Sequence, residues 1–346
     1  MGTLEPVSGG LPDATRGAPR PAWRSRRGVI RQWLWGDTRS RLATCVLAIV
    51  LLMAIAAPLI ARYPPTGQNF IPFLGPSSAH WLGTDDLGRD VWSRLVYGAR
   101  ASMEAAGIAV SLALVIGMPI GLLAGFRGGW VDAVLMRVAD TVLSFPGIIL
   151  AIAITAVLGP SLAHSMIAVG IVFSPSIARL TRSQVLVTRE RVYVDAAVSF
   201  GSPPWRIVMR HIVPNSVQPV VIQATFMLGL AVIAEASLSF VGLGVQDPAP
   251  SFGVMLQSAS QFISVHPFGV YPPGVAIALI VLAFNALGDS LRDVLDPVAS
   301  TRRRARLAAR KGRRHAVQTS APDAVGARHH QAPAAGGDPS QLPPIT

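Results

Sequence analysis

Six long, mainly apolar runs dominate this sequence. The first, residues 42–60, contains no charged side chain, and at a helical rise of about 1.5 Å per residue it is long enough to cross a hydrocarbon core of about 30 Å. Five runs of comparable length follow, at residues 101–126, 134–158, 163–180, 217–241 and 273–291. Because only 14% of the residues are charged, a soluble domain of ordinary surface is excluded. The pattern predicts an all-α integral membrane protein with six transmembrane helices.

Both ends of the chain are basic and lack such runs. Residues 1–41 are a predicted cytoplasmic tail, in which residues 24–35 are typical either of a short interfacial helix or of a disordered basic segment. Residues 298–346 are predicted to form a second disordered cytoplasmic tail. Its basic cluster, Arg302 to Arg304 with Lys311, would indicate nucleic acid in a soluble protein. Beside a membrane span it favours contact with anionic lipid instead.

Basic residues are distributed unevenly between the two faces of the predicted membrane domain. If both termini are cytoplasmic, inner segments hold 26 of the 30 Lys and Arg residues, and outer segments hold Arg62, Arg89, Arg94 and Arg100. Cytoplasmic loops carry the excess of Lys and Arg, so this distribution predicts a multi-pass protein with both termini inside. Arg62 and Arg100 lie near predicted membrane borders, and the side on which they lie stays open.

A charged loop at about residues 182–216 separates the fourth and fifth spans, and this orientation places it in the cytoplasm. Its apolar periodicity predicts two short helices. Thr188 is the predicted cap of the first helix, and Gly201 is predicted to end it in a left-handed conformation. Ser202 is the predicted cap of the second helix, and Pro214 is expected to stop it.

The spacing within this loop resembles a known family. Asp195-Ala196-Ala197, followed by Gly201 and, 13 residues later, by Pro214, resembles the EAA loop of permease subunits of binding-protein-dependent ATP-binding-cassette (ABC) importers. Residues 210–215 are similar to the dipeptide, oligopeptide and nickel branch of that family. Asp195 stands where the general pattern has Glu, and Val213 where Leu is usual, so charge and bulk are kept. The alternative is an ordinary cytoplasmic helical hairpin, which periodicity alone does not exclude.

Three further segments carry the same resemblance. Residues 80–100 are similar to the signature of C-type peptide and nickel permeases, and residues 234–244 and 285–297 match other stretches of these proteins. In the first segment, an apolar stripe under a charged face predicts an interfacial helix that leads into the second span. Asp85, Asp86 and Asp90 are interpreted there as helix caps and solvated charges rather than metal ligands, because no His or Cys set accompanies them.

The resemblance implies both fold and assembly. It implies a type I ABC importer transmembrane domain at residues 42–297, in the C-type permease subunit of a dipeptide, oligopeptide or nickel importer of the bacterial cytoplasmic (inner) membrane. The implied partners are a second, homologous permease subunit, two cytoplasmic ATP-binding subunits and an extracytoplasmic solute-binding protein. The substrate stays open among dipeptides, oligopeptides, glutathione-like molecules and nickel chelates. The implied ATPase-coupling residues are Asp195, Ala196, Ala197, Gly201, Pro203, Trp205, Arg206, Arg210, His211 and Pro214.

The sequence contains no recognisable catalytic motif. A P-loop needs Gly-Lys followed by Ser or Thr, and the only Lys of the chain is Lys311 in the C-terminal tail. This chain is therefore not expected to hydrolyse ATP by that mechanism; the resemblance implies that partner subunits bind the ATP, and we expect no cofactor on this chain. The single cysteine, Cys45, excludes an internal disulfide and a multi-cysteine metal site, and it is interpreted as a small buried apolar residue.

Two acidic residues, Asp140 and Glu235, lie inside predicted spans, where an ionisable group is costly and indicates a function or a partner. They support an alternative function, an ion-coupled secondary transporter. Such a transporter would need paired discontinuous helices in inverted halves, which the sequence does not display. A membrane-anchored scaffold without transport is a third hypothesis. For Glu235, hydrogen bonding to neighbouring backbone or Ser groups is favoured over substrate contact.

Overall fold

The computed structural model describes residues 38–295. A π-helical segment, Val208–Ile212, and a 3-10 segment, Pro267–Val270, connect some of its helices. The predictions for the two tails, and for a helix end at Asp296 and Pro297, lie outside the described residues. The α-helices within that range are α1 (Thr38–Ile55), α2 (Ala57–Ile60), α3 (Val91–Arg127), α4 (Gly129–Ser144), α5 (Gly147–Leu158), α6 (Leu162–Arg189), α7 (Val192–Ser199), α8 (Pro204–Ile207), α9 (Val213–Phe240), α10 (Phe252–Gln261) and α11 (Tyr271–Leu295).

Five helical stretches of the described region are long and apolar enough to cross a membrane. They are Thr38–Ile55, Val91–Arg127, Leu162–Arg189, Pro204–Phe240 and Pro267–Leu295. Helices α4 and α5 together supply a sixth crossing if this pair, bent by 92°, is counted as one span. The expected all-α membrane fold is therefore confirmed, with its third span broken.

The third span, predicted as one helix over residues 134–158, is divided into two helices at Pro146. Phe145 has an extended backbone, with φ −86° and ψ 141°. Proline has no N–H to donate and disfavours the helical conformation in the residue before it, which ends α4 at Ser144. Helix α5 then begins at Gly147 in a new direction. The described residues contain one such broken pair, whereas the secondary-transporter alternative needs a set of two.

Helices α3 and α6 approach each other through glycines. A Cβ atom added to Gly117 would lie 2.5 Å from the carbonyl oxygen of Ser174, and one added to Gly121 would lie 2.4 Å from that of Ala178. No real Cβ fits at these distances. The two helix backbones therefore come into contact at positions where the α3 residue is glycine and has no side chain. Small residues permit this kind of close helix packing inside membranes, where apolar surface alone gives little preference for one neighbour over another.

Helix α1 lies at the edge of the described bundle. Its buried residues are Ser40, Ala43 and Ala54, and most of its other side chains are exposed. Cys45 is among the exposed residues, so its interpretation as a buried side chain is wrong. An apolar helix with this exposure faces lipid or another protein rather than water.

Candidate functional site

Helices α7 and α8 meet at a corner formed by Gly201. Its φ of +71° is the left-handed conformation that the sequence predicted. The N–H of Gly201 donates to the carbonyl of Val198 at 2.9 Å, and the N–H of Ser202 donates to that of Ala197 at 3.1 Å. This pair of bonds is the Schellman ending of a helix. A Cβ at Gly201 would meet no atom within 4 Å, so backbone conformation rather than lack of space favours glycine.

The caps of the two short helices differ from the prediction. Helix α6 continues through Thr188, whose hydroxyl donates to the carbonyl of Gln184 at 2.7 Å, so Thr188 does not cap α7. Ser202 does not cap α8 either, because the residue at that cap position is Pro203. Pro204 occupies the first turn of α8. N–H groups in a first turn have no acceptor within the helix, so the N–H that proline lacks costs no hydrogen bond there.

Pro214 does not stop the second helix, contrary to the prediction. The π-helical segment Val208–Ile212 precedes it, and the N–H of Val213 donates to the carbonyl of Val208. A π turn changes the hydrogen-bond register, and Pro214 then lies in the first turn of α9, where its missing N–H is tolerated. The chain is therefore helical without a sharp break from Pro204 to Phe240.

The corner presents large apolar side chains that the described chain leaves uncovered. Phe200 is 89% exposed and Trp205 is 65% exposed, with Tyr193, Val198 and Met209 also exposed. Exposed apolar surface of this kind marks an interaction site. The side of the corner that packs against α6 is a separate cluster of Val185, Val194, Ile207 and Ile212.

Charged and aromatic residues surround this apolar surface. Asp195, Arg206 and Arg210 are exposed, and no salt bridge within residues 38–295 involves them. The guanidinium of Arg206 lies 5.8 Å from the ring of Trp205. The predicted coupling residues thus lie together, on α7, the Gly201 turn, α8, the π segment and the first turn of α9. We call this surface the coupling corner.

Residues 80–90 form no helix, so the predicted interfacial helix with a charged face is wrong there; with the first turn of α3 they form a buried ion network instead. Arg89 and Arg94 are each 1% exposed. Nε of Arg89 donates to Asp85 at 2.6 Å, and Nη1 donates to Asp247 at 2.8 Å. Burial alone would lower the pKa of Arg89, but the neighbouring carboxylates of Asp85 and Asp247 outweigh it and raise that pKa. The network joins the loop before α3 to the loop after α9.

The aspartates of this segment have separate roles. Asp90 is the cap of α3 and accepts from the N–H of Ser93 at 2.8 Å, while its other oxygen lies 2.9 Å from Nδ1 of His80. Asp86 is partly buried, and this burial, together with the charge of Asp85, raises the pKa of Asp86. Of the three aspartates, Asp90 is thus a helix cap, whereas Asp85 is not, because the helix begins only at Val91. Asp85 forms largely buried ion pairs instead of the expected solvated charge. Within residues 38–295, no group of three or more His, Cys, Asp or Glu side chains is arranged to hold a metal ion.

Glu235 is completely buried and hydrogen-bonded by serines. The hydroxyl of Ser239 donates to Oε1 at 2.8 Å, and that of Ser102 on α3 donates to Oε2 at 3.1 Å. The hydroxyl of Ser239 also accepts from the N–H of Val245 at 3.0 Å. Glu235 thereby connects α3, α9 and the loop that follows α9, which is the structural geometry that the sequence favoured.

Asp140 is paired with a basic residue and lies apart from the Glu235 network. It forms an ion pair with Arg179 on α6, and both side chains are about half exposed. A second pair joins the same two helices, with Nη2 of Arg182 donating to Asp132 at 2.6 Å. Sequence reasoning missed these pairs. The i, i+3 spacing of Arg179 and Arg182 on one helix face was the available signal.

Comparison with known proteins identifies similar chains. Residues 117–300 match the family model described as "Binding-protein-dependent transport system inner membrane component". The dipeptide transport system permease protein DppC of Alkalihalophilus pseudofirmus is 46% identical over 75% of this chain and 86% of its own length. The glutathione transport system permease protein GsiD of Pectobacterium atrosepticum is 44% identical over 72% and 85%. The probable D,D-dipeptide transport system permease protein DdpC of Escherichia coli K12 is 39% identical over 82% and 96%.

Proposed function

Because this chain belongs to the family of binding-protein-dependent transport system inner membrane components, we propose that it is the C-type permease subunit of an ABC importer for di- or oligopeptides. The relatives carry names that refer to dipeptides, glutathione and D,D-dipeptides. These compounds share peptide or peptide-like amide bonds and charged ends, which supports a short peptide as the substrate class.

The observation that carries the proposal is the uncovered coupling corner. Phe200 and Trp205 expose large apolar surfaces beside charges that form no salt bridge with residues 38–295, at the end of a long helix that crosses the bundle. Such a surface fits a protein partner better than water or lipid, because it combines apolar area with Asp195 and Arg206. The proposed partners on this side are two cytoplasmic ATP-binding subunits.

The proposed transport cycle follows from two-state coupling. Closure of the ATP-binding subunits would move the coupling corner, and α9, which continues from it, would tilt relative to α3 and α6. A second, homologous permease subunit would supply the other wall of the path, and an extracytoplasmic solute-binding protein would deliver the peptide. In this proposal both termini and the coupling corner are cytoplasmic, and the Arg89 network faces the opposite side.

A reconstituted importer tests the proposal. The chain is co-expressed with the proposed second permease subunit and the ATP-binding subunits. The complex is reconstituted into vesicles with the solute-binding protein and assayed for uptake of labelled dialanine. We expect uptake that needs ATP and persists when an uncoupler removes the proton gradient. Trp205→Ser should weaken retention of the ATP-binding subunits, whereas Val157→Ser, at a site that is 87% exposed on α5, should not.

The alternatives give different results in the same assay. Uptake that needs no ATP, stops with the uncoupler and fails in Asp140→Asn would identify an ion-coupled secondary transporter. A membrane scaffold would show neither kind of uptake although its partners co-purify. Competition between labelled dialanine and unlabelled glutathione would then show whether the importer accepts both compounds or only the dipeptide.

A further inference from the structure

An apolar crevice of about 540 Å³ opens between α1, α3 and α11. Val46 and Met53 on α1, Leu95 on α3, and Ala276 and Ile280 on α11 are among its wall residues, and its accessible wall is wholly apolar. From Val46 to Met53 the wall extends about 10 Å along α1 at the usual helical rise. The crevice is therefore a slot along the helices rather than a round cavity.

The slot lies where α1 and α11 separate. At their other ends the two helices touch, with Ala43 of α1 packed against Ala283 and Leu287 of α11. Towards the loop that follows α2 the contact is replaced by the slot. An unfilled slot of this size would forfeit dispersion contacts along all three helices. The position therefore calls for an elongated apolar occupant.

A cation lies near the loop end of the slot. The guanidinium of Arg62 is 4.9 Å from the centroid of the Trp81 ring, and that ring is 5.2 Å from the ring of Trp92, which lines the slot. Arg62 is exposed, and its Nη1 donates to the carbonyl of Ser78 at 2.8 Å. Within the described residues, no carboxylate forms a salt bridge with it.

We propose that the slot binds one phospholipid, with an acyl chain between α1 and α11 and its phosphate at Arg62. A phosphate supplies the negative charge that the described chain does not provide, and Arg is well suited to binding phosphate oxygens. Trp81, Trp92 and Tyr271 lie at the same end, and Trp and Tyr are typical of headgroup depth in membranes. The bound lipid braces α1 where direct helix contact is missing.

Photolabelling of the assembled importer tests this proposal. The complex is placed in nanodiscs made with phosphatidylglycerol that carries a diazirine on one acyl chain, irradiated, and digested for mass spectrometry. We expect adducts concentrated on the slot positions Val50, Met53 and Val275. Ala276→Phe fills the slot and should lower these adducts roughly tenfold, the change expected when a well-buried apolar segment is displaced.

Two further variants separate the slot from ordinary lipid contact. Arg62→Gln should lower the adducts roughly fivefold, the change expected for one basic residue near the membrane surface. Val157→Phe, on exposed α5, should leave them unchanged. Adducts spread evenly over all exposed apolar positions, or slot adducts that persist unchanged in Ala276→Phe, would overturn the proposal. So would cross-linking of Met53→Cys to the second permease subunit without any slot adduct.

Discussion

Arg89 donates a hydrogen bond of 2.8 Å to Asp247, a residue 158 positions further along the chain. Arg94, one turn into α3, donates to the carbonyls of Pro65 and Pro248 at 3.1 and 3.3 Å. The two arginines therefore fasten the loop before α3 to the loop after α9. Every one of these contacts lies at the same end of the bundle, opposite the coupling corner.

Removing the Arg89 charge should destabilise the protein strongly. In Arg89→Gln, Asp85 loses its 2.6 Å bond to Arg89 and keeps Arg94, at 3.5 Å, as its cationic partner. Breaking a buried ion pair from one side costs about 3 kcal/mol or more. Thermal unfolding of the purified protein in detergent measures this loss. Arg127→Gln, at an exposed residue in the last turn of α3, is the matched control and should unfold at nearly the wild-type temperature. Equal unfolding temperatures for the two variants would show that the network does not stabilise the fold.

A single methyl group should separate α3 from α6. In Gly121→Ala the new Cβ would lie 2.4 Å from the carbonyl oxygen of Ala178, so the helices must move apart. Overpacking of this kind costs about 1–3 kcal/mol. Gly107→Ala, on the same helix with no atom within 4 Å of the added Cβ, should be neutral or slightly stabilising. Unfolding temperature and detergent stability can be compared for the pair, and a neutral Gly121→Ala would contradict the close contact.

Gly201→Val tests the corner by conformation alone. Space is open around this residue, but a β-branched side chain at a φ of +71° costs about 1–2 kcal/mol. The chain should relieve this strain by turning α8 relative to α7. We expect normal membrane insertion with weaker binding of the ATP-binding subunits, measured by co-purification. Gly201→Asn, which tolerates the left-handed region, should bind them nearly as wild type does. If the Gly201→Val protein retains the ATP-binding subunits as well as the Gly201→Asn protein does, the geometry of the corner does not determine their binding.

The orientation can be tested with single cysteines in a Cys45→Ser background. Gln261 and Glu190 are both exposed, and they lie in the predicted outer and inner parts of the chain. An impermeant thiol reagent added to intact cells should label Gln261→Cys and should reach Glu190→Cys only after the cells are opened. The reverse pattern would invert the proposed topology.

The sequence predicted the features that depend on neighbouring residues. Apolar length located the spans, and the Gly201 turn followed from the steric freedom of glycine. Contacts between distant segments were not predictable, since Asp247 carries no local sign that its partner is Arg89. The effects of proline were also missed. Pro146 breaks a span and Pro214 does not, because the outcome depends on the hydrogen-bond register, which a π segment changes before Pro214.

The continuous helical stretch from Pro204 to Phe240, which includes the π segment and has no sharp break, has a mechanical consequence. Its 37 residues span about 55 Å, and one end carries part of the coupling corner while the Glu235 network lies near the other. A rod of that length acts as a lever. Tilting it by about 10° around its middle would displace each tip by about 5 Å in opposite directions. A displacement of the corner would therefore move the other end of the helix, at the far face of the membrane, in the opposite direction. Rotation of the helix as a rigid body suffices for this, and no strain has to pass from residue to residue.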